Sequence, residues 1–99
     1  MSKYHITAKP MARAVTYGWI DGTVDGFYFQ AKVYDTGSVF GINNGRVSKL
    51  IIRDKQNNQI IAYERGWDRE PANDKQRELL QALLDFLENC PRRKQWEKL

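Results

Sequence analysis

Apolar and polar residues alternate with period two from Thr16 to Gly66, then recur at spacings of three and four after Pro71. The first pattern sends successive side chains to opposite faces of a strand; the second gathers them on one stripe of a helix. Phe27–Asp35, reading FYFQAKVYD, is the clearest strand. Phe27, Phe29, Ala31 and Val33 share one face, and Tyr28, Gln30, Lys32 and Tyr34 the other. Thr16–Thr23, Ser38–Asn43, Arg46–Asp54 and Gln59–Gly66 complete a set of about five strands. In Arg46–Asp54, Ser48, Leu50 and Ile52 alternate with Val47, Lys49, Ile51 and Arg53.

Turn residues separate these runs. Asp25-Gly26 and Asn43-Asn44-Gly45 tolerate positive φ, and Asp35-Thr36-Gly37 and Lys55–Asn58 are polar breaks. Such short connections pair sequence neighbours antiparallel, as a meander. Beyond Pro71, Leu79, Leu80, Leu83, Leu84, Phe86 and Leu87 form the stripe of an amphipathic helix. Asn73 with Gln76 three residues on is a candidate cap, and Pro71 in the first turn is the alternative start. Pro91 ends the helix.

The expected fold is therefore α+β: an antiparallel meander with one C-terminal helix on one face. It occupies residues 16–90, between an N-terminal arm or frayed edge strand (1–15) and a basic tail (91–99). A single helix covers one sheet face and leaves the other open.

Charge sharpens this division. The formal net charge is +4, but residues 1–15 hold Lys3, Lys9 and Arg13 without an acid, and residues 91–99 hold four bases against Glu97. Basic ends suit nucleic acid, and they equally serve as solubilising tails. No apolar run reaches the ~20 residues of a membrane-spanning helix, and no apolar core of a signal peptide follows the first basic residues. Cys90 has no second cysteine to pair with. The expectation is a cytoplasmic protein without membrane contact.

Catalytic chemistry finds little support. His5 and Cys90 are single and far apart, with no CxxC or HExxH spacing, so no metal or other cofactor is expected. Asp21, Asp25 and Asp35 are read as turn residues that serve the backbone. Cys90 sits at the negative end of the helix dipole, which disfavours its thiolate. Gly37, Gly41 and Gly45 punctuate strands rather than build a phosphate loop, with Gly41 marking a bulge or a contact with an aromatic. The chain is accordingly expected not to be an enzyme.

Binding residues are easier to nominate. Tyr28, Lys32, Tyr34, Arg46, Lys49 and Arg65 interleave aromatics and bases over the sheet. On an uncovered face they form a solvated surface, a protein contact, or a stacking and phosphate-holding platform for nucleic acid. Trp67 stands where the last strand hands over to the helix, as a core plug or as a hot spot, with Arg65 and Asp68 placed to bond across the junction.

Several strings in order carry a resemblance: Asp25–Val33 (DGFYFQAKV), Ser38 through Gly41-Ile42, Gly45–Leu50 (GRVSKL) and Tyr63–Asp68 (YERGWD). Together they resemble a family of small uncharacterised proteins from Gram-positive bacteria and their phages or mobile elements. The resemblance spans about half the chain. It implies a compact sheet-plus-helix domain and assigns no activity and no catalytic residue. The leading expectation is a small non-enzymatic module with a protein partner; the alternative is a nucleic-acid-binding protein using the open sheet face and the basic ends.

Overall fold

The computed structural model describes residues 4–10 and 18–90. Six strands form one antiparallel sheet in chain order: β1 (Ile6–Pro10), β2 (Trp19–Val24), β3 (Phe27–Val33), β4 (Val47–Arg53), β5 (Gln59–Glu64) and β6 (Trp67–Arg69). One helix, α1 (Asp74–Glu88), packs on one face. Among the described residues no helix is long and apolar enough to cross a membrane.

The core follows the alternation. In β3, Phe29, Ala31 and Val33 are buried while Tyr28 and Gln30 are exposed. Leu50 and Ile52 of β4 and Ile61 of β5 extend that buried face, and Leu79, Leu80, Leu83, Leu84 and Leu87 of α1 close over it. Each fully buried leucine contributes about 1.5–3 kcal/mol. Helix-propensity differences stay below about 0.7 kcal/mol per residue. Packing therefore holds α1 in place. Asn73 caps it, its Oδ1 accepting the Gln76 N–H at 2.9 Å, while Gln76 Oε1 accepts the Ala72 N–H at 2.7 Å. The helix begins at this cap rather than at Pro71.

The β2–β3 turn has positive φ at Asp25 (48°) and Gly26 (85°), the requirement of a tight two-residue hairpin. Asp25 also fastens β1: its Oδ1 accepts the His5 N–H at 2.7 Å, and its own N–H donates to the His5 carbonyl at 2.9 Å. Residues 6–10 of the expected arm are thus an edge strand, with Lys9 opposite Asp21.

Several expectations need correcting. Ser38–Asn43 is not a strand but part of the loop joining β3 to β4, with a short 3-10 turn at Ile42–Asn44. Asn43 and Asn44 both adopt left-handed φ, which curls the backbone away from any ladder. Gly41 lies in this loop outside every strand and marks no bulge. It lies against the Gly45 backbone, where a Cβ would fall 1.9 Å from the Gly45 carbonyl oxygen. In this loop Ile42 is buried, while Val39 and Phe40 stand in solvent.

The expected strand to Gly66 stops at Glu64, turns through Arg65 at φ 58°, and returns as β6. Asp21 lies inside β2 and not at a turn. Val47 does not share the face of Lys49: a register shift opposite Lys32 and Val33 turns Val47 and Ser48 both inward. Thr16, Tyr17, Pro91 and the 91–99 tail lie outside the described residues.

Candidate binding surfaces

The sheet register sorts the nominated residues. On the helix-free face one row runs Thr7, Thr23, Tyr28, Arg53, and a second runs Lys9, Asp21, Gln30, Ile51, Ala62, Arg69. A third runs Trp19, Lys32, Lys49, Glu64. Tyr28, Lys32 and Lys49 therefore share the open face as expected. Tyr34 joins them just past β3, with Lys32 Nζ 5.6 Å from its ring centroid. Lys49 Nζ pairs with Glu64 Oε1 at 3.2 Å across the strands, which neutralises much of its charge.

The open face is concave at one end. A cavity of about 630 Å³ lies over β1–β4, lined by Thr7, Lys9, Asp21, Thr23, Tyr28, Gln30, Ile51, Arg53 and Asn57 among others. Lys9 and Arg53 stand on its two sides, and the Thr7 and Thr23 hydroxyls meet at 2.8 Å. Sequence reasoning nominated only Tyr28 of this set. Arg53 was findable, since it alternates with Ile52. Lys9 and Asp21 were not, because nothing local reveals the β1–β2 register.

Arg46 leaves the platform altogether. Its Nε donates to the Tyr34 carbonyl at 2.7 Å and its Nη1 to the Cys90 carbonyl at 2.7 Å, so it holds the end of α1 to the sheet. Arg65 and Trp67 gather elsewhere, at a corner made by β5, β6 and the β3–β4 loop. The Arg65 guanidinium stands 5.7 Å from the Phe40 ring centroid. Trp67 meets Tyr63 edge to face at 5.0 Å, and the Tyr63 hydroxyl donates to the Phe40 carbonyl at 2.9 Å. Trp67 is 38 % exposed and Phe40 53 % exposed, so Trp67 is no plug between sheet and helix. Arg65 turns to Phe40; among the described residues no bond joins it to Asp68.

Cys90 is buried at the end of α1, and its surroundings push the thiol up to about 11. Burial is the main cause; Arg46 draws the value down and Glu88 raises it. Such a thiol is a poor nucleophile at neutral pH. Among the described residues, no three His, Cys, Asp or Glu side chains gather closely enough to share an ion.

Taken together, the fold and surfaces define a two-layer α+β domain: an open antiparallel meander backed by one helix, with a polar concave face and a separate aromatic corner. The chain belongs to the family described as a domain of unknown function (DUF7678), whose model matches residues 18–88. Comparison with curated proteins and with solved structures found no match.

Proposed function

We propose that this protein is a small non-enzymatic module that binds a protein partner through the corner of Val39, Phe40, Arg65 and Trp67. The supporting observation is the concentration there of large apolar side chains in solvent, with an arginine stacked on one of them. Trp and Arg dominate binding hot spots because they bring large area and directed hydrogen bonds together. Tyr63 packs on the Trp67 ring and holds the Phe40 backbone carbonyl, which limits the freedom the corner has to lose when a partner arrives. The resemblance to small proteins of Gram-positive bacteria and their phages or mobile elements makes a cytoplasmic host protein the proposed class of partner.

The test is a pull-down from a Gram-positive lysate with the wild-type chain beside Phe40→Ala and Trp67→Ala. A saturable partner held by the wild type and lost by both variants is the expected result. Truncating a hot-spot residue costs about 2 kcal/mol or more, a loss of roughly thirtyfold in affinity. A partner retained equally by both variants, or no saturable partner, overturns the reading.

A further inference from the structure

The helix-free sheet face presents a different chemistry from the aromatic corner. Its cations are Lys9, Lys32, Lys49, Arg53 and Arg69, against the acids Asp21 and Glu64. The helix on the opposite side carries Asp74, Glu78, Asp85 and Glu88 against Lys75 and Arg77. Among the described residues the open face is therefore net positive, while the four acids of α1 against its two bases include Glu88, which Arg46 holds. A face kept merely soluble has no need of such an imbalance, whereas a polyanion is drawn to it.

We propose that this face binds single-stranded nucleic acid, with Lys9, Lys32 and Arg53 on phosphates and Tyr28 stacked on a base. This second site is independent of the corner proposed for a protein partner. Tyr28 is 56 % exposed, stands directly opposite Arg53 in the register, and forms part of the wall of the 630 Å³ concavity. An exposed ring beside a cation is the combination that holds an unpaired base and its phosphate. Lys32 over Tyr34 repeats the pairing toward the other end of β3.

Size agrees with this occupant. Four strands about 4.8 Å apart span about 14 Å. Sheet-based readers of single strands seat about two or three bases on such a surface. Gln30 and Asn57 offer amide donors and acceptors for base edges, and Asp21, the acid in the concavity, can accept from an exocyclic amino group. A protein strand fits less well. Backbone groups in the middle of this sheet are consumed by its own ladders, so an extended peptide finds none to pair with. Among the described residues, the large exposed apolar side chains other than Tyr28 and Tyr34 (Val39, Phe40 and Trp67) belong to the β3–β4 loop and the β6 corner.

Fluorescence anisotropy of the full chain with labelled oligo(U), oligo(dT) and a mixed-sequence duplex tests the proposal. Binding to a single strand, weakening steeply as salt rises and exceeding binding to the duplex, is expected. Tyr28→Ala should weaken it about tenfold, Tyr28→Phe should keep it, and Arg53→Gln should reduce the salt slope by about one. Phe40→Ala and Trp67→Ala should leave it unchanged, which separates this site from the protein-binding corner. Far-UV circular dichroism confirms that each variant is folded. The proposal falls with no binding at low salt, with tighter binding to the duplex, or with affinity unchanged in both Tyr28→Ala and Arg53→Gln. It falls equally if Tyr28→Ala abolishes capture of a protein partner while leaving oligonucleotide affinity intact.

Discussion

The Glu88 carboxylate accepts the Arg46 backbone N–H at 3.0 Å on Oε1 and 2.8 Å on Oε2, while Arg46 Nη1 donates to the Glu88 carbonyl at 2.9 Å. Side chain and backbone of each residue thus serve the other. The clasp joins the last turn of α1 to the start of β4, forty-two positions away in sequence. It satisfies carbonyls that the helix end leaves without an internal donor.

Glu88→Ala removes the acceptor and leaves a half-buried N–H without it. Hydrogen bonds to charged groups contribute about 1.5–3 kcal/mol, so a loss of about 2–3 kcal/mol is expected in urea unfolding. Arg46→Lys keeps the charge but not the planar fork, and should recover little of an Arg46→Ala loss. A change below about 0.5 kcal/mol in Glu88→Ala, the range of an ordinary surface substitution, would deny the clasp its role.

Gly45 makes room for that carboxylate: a Cβ there would lie 2.3 Å from Glu88 Oε2. Gly45→Ala should therefore displace Glu88 and destabilise the protein, and the cost should largely vanish in a Glu88→Ala background. Gly41→Ala meets a backbone oxygen instead and should cost the same in either background. A double-mutant cycle on urea midpoints separates the two; additivity for Gly45 and Glu88 would refute the coupling.

Asn73→Ala should cost about 1 kcal/mol, since it exposes the Gln76 N–H of the first helical turn. Asn73→Asp should be close to neutral or better, because a carboxylate suits the positive end of the helix. Thermal unfolding followed at 222 nm measures both, and an unaltered Asn73→Ala midpoint would contradict the cap.

The raised thiol of Cys90 has a definite sign for stability. Its ordinary value of 9.0 applies to the unfolded chain and about 11 to the folded one, so the unfolded state ionises first. The stabilisation is complete below pH 9.0 and is lost as pH rises toward 11. Wild-type stability should fall relative to Cys90→Ala across that interval. Native Cys90 should also react slowly with a thiol reagent near pH 8 and quickly in denaturant; rapid labelling of the native chain would show the burial to be wrong.

The elements legible in the sequence were those whose local pattern and tertiary environment agree. Phe27–Val33 alternates because one face is buried, and the leucines after Pro71 cluster because one helical stripe is buried. Ser38–Asn43 alternates too, yet left-handed Asn43 at its end and Asn44 after it set a turn that no pairing strand can share. Trp67–Arg69 is too short and too exposed to announce itself as a strand.

By itself, the sequence determined the architecture: which stretches are amphipathic at which period, and hence a meander backed by one helix. Only the tertiary structure decided how the nominated residues divide. It sent Arg46 to the helix end, Arg65 and Trp67 to a corner, and joined Tyr28 with Lys9, Asp21 and Arg53 in one concavity. The physical reason is that periodicity reports the face a side chain takes on its own element. Cross-strand register and a side chain's choice among distant partners depend on contacts between residues far apart in the chain.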